Sequence, residues 1–231
     1  MLNFSDACVI FIIVMSDSHR TDNKCLSTRV QFPDDESKFR WMPMLLDAYA
    51  IVDEGIAIAI SEEEDKRNIK LSCKKGCDNC CRTHKDIPVY PLELVGIYWF
   101  STEKIVQPAR EILKRQLASH AKGDSCPFLI NSSCSIHLMR PIACRQFNVF
   151  SIQCDEGEDP FYTRRDDVLT PIKDYAEQAF YAMLPFYGVT DEDDKIDAIE
   201  NNLIHSLVRI LQSCNWKELD RIMTDFDAKR H

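Results

Sequence analysis

The chain has 231 residues, 45 % of them hydrophobic, and a formal net charge of −9. This length and composition argue against a disordered chain and fit one domain, or one domain with an appendage, around one substantial core. The acidic balance argues against general nucleic-acid binding, which needs a basic face on the whole domain.

The charge is unevenly distributed along the chain. The segment from Cys73 to Arg145 carries 11 basic and 6 acidic residues, so it is basic within an acidic protein. We expect a basic pocket that compensates several thiolates.

The chain contains 11 cysteines, an odd number, and is too long to need disulfide staples. No secretion signal begins the sequence. The apolar run from Ala7 to Met15 is too short to span a bilayer and lacks a preceding basic region. Reduced thiols, a cytoplasmic location and no membrane association are therefore expected.

Residues 1–38 show no sustained hydrophobic period and are predicted to be a mobile leader. Residues 39–231 are predicted to form a single helical domain. From Met44 onward, apolar residues recur every three to four positions, which predicts a core-facing helix. Its charged end, residues 62–67, leads directly into a cysteine-rich block, so this helix is expected to buttress the site there.

The first cysteine block has four thiols in nine residues, Cys73 to Cys81. Cys77 and Cys80 have the spacing of a metal knuckle, preceded by a tight turn at Gly76. Lys74 and Lys75 are expected to favour the thiolate over the thiol.

Cys80 and Cys81 are adjacent, and adjacent cysteines rarely bind one mononuclear ion together because their Cα–Cβ vectors diverge. The pair therefore indicates a second site, a multi-iron cluster or a spare thiol. Cys73, Cys77 and Cys80 also have the C-x3-C-x2-C spacing that holds a [4Fe-4S] cluster with one open iron in radical S-adenosylmethionine enzymes.

Two predicted helices follow, one opened by Pro91 and one opened or kinked by Pro108, with Gly123 as a stop. They return the chain so that a second cysteine group meets the first. This group, at spacings of 7, 9 and 9 residues, consists of Cys126, Cys134, Cys144 and Cys154. No regular helix places these thiols on one face, so the region is predicted to be a loop region held by what it binds.

A C-terminal helical layer is predicted over residues 165–228, with apolar stripes over 172–184 and 196–211 and a last helix opened by Asn215 and Glu218 at capping-box spacing. The acidic run 191–194 is interpreted as a helix N-terminus rather than a calcium loop. Cys214 lies on the apolar stripe and is explained by packing. A protein partner is expected to bind through these helices.

The fold class is therefore mainly α, a helical domain around an irregular cysteine-rich metal-binding centre. Eight thiolates fit two zinc ions with four each, or one [4Fe-4S] cluster with extra thiols. Thiolate-only ligation suits zinc and iron-sulfur alike, so the residues leave both open.

Residues 70–156 resemble the YkgJ-type cysteine-cluster family of zinc- or iron-chelating domains. The motifs that carry the resemblance are both cysteine groups, Cys126-Pro127-Phe128-Leu129, Arg140-Pro141 and Cys144-Arg145. The resemblance implies a cytoplasmic metal protein and favours an iron-sulfur cluster, [4Fe-4S], over zinc. The metal ligands it implies are Cys73, Cys77, Cys80, Cys81, Cys126, Cys134, Cys144 and Cys154.

Three residues near the second cysteine group could also take part in the site. Many relatives have Tyr at the position of His137, so His137 is not supported as a ligand, although its spacing from Cys134 suits zinc. Arg140 and Arg145 are interpreted as charge compensation or hydrogen-bond donors to sulfur, with a carboxylate pair as the alternative.

Three functions are compatible with these features. The first is a metal or cluster carrier, in electron transfer or as an accessory to a modification enzyme. The second is an enzyme using S-adenosylmethionine, since a longer protein with a similar cluster is associated with flagellin lysine methylation. Against it, the sequence shows no alternation of strands and helices as in a barrel. The third is a structural zinc domain for protein interaction.

Overall fold

A computed structural model describes residues 29–230 of the chain. Its elements are mostly helices. The α-helices are α1 (Pro33–Glu36), α2 (Trp41–Arg67), α3 (Asn79–Thr83), α4 (Pro91–Glu103), α5 (Ala109–Ser119), α6 (Ile142–Gln146), α7 (Pro160–Thr163), α8 (Lys173–Met183), α9 (Glu192–Glu200), α10 (Leu203–Ser206) and α11 (Trp216–Ala228). The strands are β1 (Pro88–Val89), β2 (Leu129–Ile130), β3 (Ser133–Cys134) and β4 (Arg209–Ile210). The predicted mainly α fold is confirmed.

The first hydrophobic core lies between α2 and α8. Leu45 and Tyr49 on α2 and Met183 on α8 are almost completely buried there. Gly55 allows the two helices to approach closely, because a Cβ at this position would lie 2.5 Å from the Cβ of Tyr175. This core supports one side of the cysteine-rich region.

The second hydrophobic core lies between α5 and α11 and includes the β2 region. Leu113, Trp216 and Phe128 are at most 1 % exposed in it. The buried guanidinium of Arg110 fastens this layer, since it pairs with Asp227 on α11 at 2.7 Å and donates to carbonyls at the end of α4.

Helix α4 joins the two cores. Leu92 and Trp99 face the first core, and Ile97 faces the second. As the sequence predicts, α4 begins at Pro91, where the missing amide hydrogen of proline costs no hydrogen bond. The cysteine-rich segments therefore lie against a two-core helical body.

The predicted leader boundary at residue 38 is too late. The ring of Phe32 packs edge-on against Trp99, with centroids 4.9 Å apart. Asp35 is 7 % exposed and pairs with Lys104 at 2.5 Å. Residues 29–38 are thus part of the packed domain, while Cys8, Cys25 and the rest of the predicted leader lie outside the described residues.

The continuous helix predicted over 196–211 is wrong. Helix α9 ends at Glu200, and Asn202 has a left-handed φ of 54°, which a helix interior does not accept. Beyond α10, β4 pairs antiparallel with β1. The apolar spacing of residues 196–211 was a misleading signal for one helix. Leu207, which belongs to this spacing, is 37 % exposed and does not face a core.

The sequence also predicts features at the starts of α9 and α11 and at the end of α5. Asp191 caps α9 by accepting from the amides of Asp193 and Asp194, so the predicted acidic N-terminus is confirmed. The predicted capping box at Asn215 is wrong, because its side chain makes no cap hydrogen bond at the start of α11. Helix α5 ends at Ser119, before Gly123.

Candidate metal centre

Cys73 is held by a short antiparallel contact with the chain around Val149. Leu71 bridges Phe150, and the amide of Ser72 donates to the carbonyl of Val149 at 2.8 Å. The amide of Val149 in turn donates to the sulfur of Cys73 at 3.3 Å. An N–H donor at this position stabilises a thiolate.

Cys77, Cys80 and Cys81 surround the start of α3. Gly76 has a φ of +85°, which explains the glycine in the turn before Cys77. Cys80 and Cys81 are consecutive residues on α3, so their side chains diverge by about 100° around the helix axis. The Cα–Cβ bonds of these two adjacent cysteines therefore leave the helix in different directions.

Asn79 fastens the segment that carries Cys154 to α3. Its side-chain amide donates to the carbonyl of Glu158 at 2.7 Å, and its side-chain oxygen accepts from the amide of Gly157 at 3.2 Å. The Arg164 guanidinium, paired with Glu158, also donates to the sulfur of Cys154 at 3.6 Å. These contacts bring Cys154 to the Cys77–Cys80 side of α3.

Cys126 and Cys134 lie at the β2–β3 hairpin. Asn131 and Ser132 form a two-residue loop with φ of 49° and 57°, the left-handed pair that a type I′ hairpin turn requires. The pairing sets Cys134 opposite Leu129. The amide of Cys126 donates to the carbonyl of Cys81 at 2.8 Å, so the hairpin is joined to α3.

Cys144 lies on the five-residue helix α6, whose start is held by a buried carboxyl group. Glu93 on α4 is fully buried and accepts from the amide of Ile142 at 2.7 Å and from that of Tyr90 at 2.9 Å. Burial raises the pKa of Glu93 to about 7. The contact fixes α6, and with it Cys144, to the helical body.

The eight predicted cysteines fall into two neighbouring groups of four. The outer group is Cys73, Cys77, Cys80 and Cys154, and the thiols of Cys73 and Cys154 both have Cys77 and Cys80 as electrostatic neighbours. The inner group, packed against the second core, is Cys81, Cys126, Cys134 and Cys144.

The two groups meet at Cys80 and Cys81, which are adjacent on α3 and each raise or lower the pKa of the other's thiol. Cys126 raises the pKa of the Cys81 thiol. Cys80 additionally influences Cys134 and Cys144 of the inner group. It therefore lies at the boundary between the groups rather than deep in the outer one.

The pKa is raised above its ordinary value at six of the eight thiols, namely Cys73, Cys80, Cys81, Cys134, Cys144 and Cys154. Burial raises the pKa of Cys73 to about 11, and hydrogen bonding with Cys126 together with burial raises that of Cys81 to about 12. Burial also raises the pKa of Cys134, Cys144 and Cys154. The expected effect of Lys74 and Lys75 is absent at Cys73, because both lysines point into solvent and burial dominates.

Metal uptake should therefore release protons. Each coordinating thiol must lose its proton, so we expect about four protons per tetrahedral thiolate site and an affinity that rises with pH, by up to about 10⁴-fold per pH unit. The measurement is zinc titration of metal-free protein in weakly buffered solution with a pH indicator. Uptake of zinc without proton release would contradict these raised pKa values.

The two arginines of the motif have different environments. Arg145 is 5 % exposed and pairs with Asp53 on α2 at 2.5 Å, so the carboxylate-pair alternative describes it. Arg140 favours the thiolates of Cys134 and Cys144 electrostatically, and no carboxylate of residues 29–230 forms an ion pair with it. Arg140 therefore fits the predicted charge compensation.

His137 contacts Arg140 through Nε2, and burial lowers the pKa of its imidazole. This nitrogen is directed to a guanidinium group rather than to the thiols. This contact agrees with the family resemblance, which does not support His137 as a metal ligand.

The groups are neighbours without forming a finished coordination sphere. Within residues 29–230, no three Cys, His, Asp or Glu side chains are already arranged to hold a metal ion.

In the same part of the chain, no helix combines the length and the apolar character that crossing a membrane requires.

Residues 72–168 match the family model CxxCxxCC, described as a "Putative zinc- or iron-chelating domain". The matched segment spans 97 of the 231 residues and contains all eight cysteines of the two groups. The resemblance to the YkgJ-type cysteine-cluster family is thereby confirmed, and metal binding with it. No curated protein and no solved structure matches the chain.

The matched segment departs from the family name at one point. Three residues, Lys74, Lys75 and Gly76, separate the first two cysteines where the name has two. The left-handed conformation of Gly76 lets the turn accommodate the longer spacing.

Sequence reasoning missed several residues that position the thiols. Asn79, Arg164, Glu93 and Asp53 act through contacts with distant segments, so no local pattern reveals them. Of these residues, only Asn79 could have been suspected from the sequence, because it lies between Cys77 and Cys80.

Proposed function

We propose that the chain is a metal-binding protein with two adjacent four-thiolate centres, one on the outer and one on the inner cysteine group. The single observation that carries this proposal is the division of the eight thiols by α3. Cys80 and Cys81 are consecutive on the helix. Cys73 and Cys154 are neighbours of Cys77 and Cys80, whereas Cys81 packs against the second core with the other three thiols of the inner group.

The electrostatic surroundings support thiolates on both sides. Four thiolates on one divalent ion carry a net charge of −2, which nearby donors and cations must stabilise. Arg164 and the amide of Val149 donate to outer-group sulfurs, and Arg140 lies beside the inner group. Zinc and iron-sulfur centres are both bound by four thiolates.

The role that this arrangement supports best is a carrier of metal or of electrons. Two centres that meet at Cys80 and Cys81 are close enough to exchange electrons if they are iron-sulfur clusters.

For the enzyme alternative, an open-iron cluster would need Cys73, Cys77 and Cys80 without a fourth thiol. Cys154 is a neighbour of this triad, and the strands within residues 29–230 are two short antiparallel pairs.

Metal analysis and a visible absorption spectrum of anaerobically purified protein test the proposal. We expect either two zinc ions per chain and no colour, or iron with an equal amount of acid-labile sulfide and a brown colour. Cys214→Ser is the matched control, because Cys214 packs against the second core and donates to the carbonyl of Ile210 at 3.4 Å. A single metal ion per chain would refute two centres.

A further inference from the structure

We propose that the two centres differ in function: the outer cysteine group exchanges its metal with thiol-bearing acceptors, while the inner group retains its metal permanently. This inference rests on the two-centre function proposed above. It assigns metal donation to one defined half of the site.

The outer group is surrounded by exposed loops. Lys74, Lys75 and Gly76 before Cys77 are all exposed, as are residues 151–153 and 155–157 on either side of Cys154. None of the four outer cysteines packs against the hydrophobic cores of residues 29–230. Acceptors in solution can therefore reach this group from the surface.

The segment that carries Cys154 is held by hydrogen bonds, two of them to Asn79 of α3, rather than by apolar burial. The amide of Glu158 donates to the carbonyl of Asp155 at 3.0 Å, and that of Tyr162 to Asp159 at 3.0 Å. Ile152 and Tyr162 are 65 % and 79 % exposed, so they contribute little burial. Segments with few buried apolar contacts open at low free energy, so this one can swing away while the cores stay intact.

The inner group has the opposite surroundings. Phe128, Ile136 and Ile142 are at most 2 % exposed and lie beside Cys126, Cys134 and Cys144 in sequence. A hydrophobic shell limits solvent access to a metal site. Opening the inner group requires disrupting the second core, which slows exchange.

The exchange itself is a ligand substitution with no change of oxidation state. The bond from Cys154 to the metal breaks, and a bond from the sulfur of the incoming acceptor thiol forms. The proton lost by the acceptor thiol goes to the freed Cys154 sulfur. Repetition at Cys73, Cys77 and Cys80 completes the transfer and leaves four thiols.

Differential alkylation of the metal-loaded protein tests this inference without any substitution. The protein is treated with excess EDTA and N-ethylmaleimide, samples are taken over time, and each modified cysteine is identified by fragment mass spectrometry. We expect half of the metal to leave at least about tenfold faster than the rest, with modification of the outer group alone in the fast phase. Equal rates at all eight cysteines, or earlier modification of the inner group, would overturn the assignment.

Two variants sharpen the result. Cys154→Ser should accelerate the fast phase or remove it by preventing loading, with the slow phase unchanged, and Cys214→Ser should alter neither. A changed slow phase in Cys154→Ser would overturn the inference. The metal content before EDTA is added tests the two-centre function separately, because a single centre would show there whatever the release rates.

Discussion

Removal of the metal is expected to open the loops of residues 72–82 and 149–167 while the first core stays folded. Apart from Val149, Phe150 and Pro160, no side chain in these loops is buried, and binding free energy at a thiolate site is largely folding free energy. We expect amide protection in these loops to fall at least about a hundredfold, or roughly 3 kcal/mol. The measurement is hydrogen exchange of metal-loaded and metal-free protein.

The same experiment contains its own control. Peptides from α2 and α8 should show unchanged protection, because Leu45, Tyr49 and Met183 are buried without any contribution from the thiols. Residues 126–144 should lose less than the loops, since Phe128 and Ile136 anchor them in the second core. Unchanged protection throughout residues 72–168 would show that metal and fold are independent.

Replacement of Arg145 is expected to destabilise the fold strongly. Its guanidinium pairs with Asp53 at 2.5 Å, donates to the carbonyls of Leu138 and Arg140 at 2.7 and 3.0 Å, and lies 3.9 Å from the centre of the Tyr49 ring. Arg145→Ala leaves these partners without their donor. We expect a loss of about 3 kcal/mol, at the lower end for a broken buried pair because Asp53 is partly solvated.

Urea unfolding of metal-free protein measures this loss, and metal analysis shows whether the inner group still loads. Arg145→Lys should recover part of the stability, since lysine keeps the charge but not the planar fork. The control is Arg221→Ala, whose side chain is 62 % exposed and whose exposed ion pairs contribute little. A loss below 1 kcal/mol for Arg145→Ala would contradict the assigned role.

Those parts of the fold that depend on local patterns were predictable from the sequence. The period from Met44 predicted α2, and Pro91 and Asp191 marked helix starts that the structure confirms. The break at Asn202 was not predictable, because the apolar spacing continues through it and neither the left-handed φ of this residue nor the later pairing of β4 with β1 leaves a local pattern.

The cysteines of the site were identifiable by their density and order, whereas their grouping was not. Divergence of Cys80 and Cys81 could be inferred from their adjacency, but the partners on each side depend on long-range contacts. Asn79 with Glu158 and Cys126 with Cys81 supply these contacts. The raised pKa of Cys73 was also not predictable from the sequence. Burial of this thiol, which outweighs the nearby charges of Lys74 and Lys75, is a property of the folded chain.

The most direct test of two centres is the metal content of Cys77→Ser and Cys81→Ser, measured side by side with the double variant. Cys77 belongs to the outer group alone and Cys81 to the inner group. Two centres predict that each single variant keeps about half of the metal and that the double variant keeps almost none. Complete loss in one single variant with full retention in the other would contradict the two-centre account.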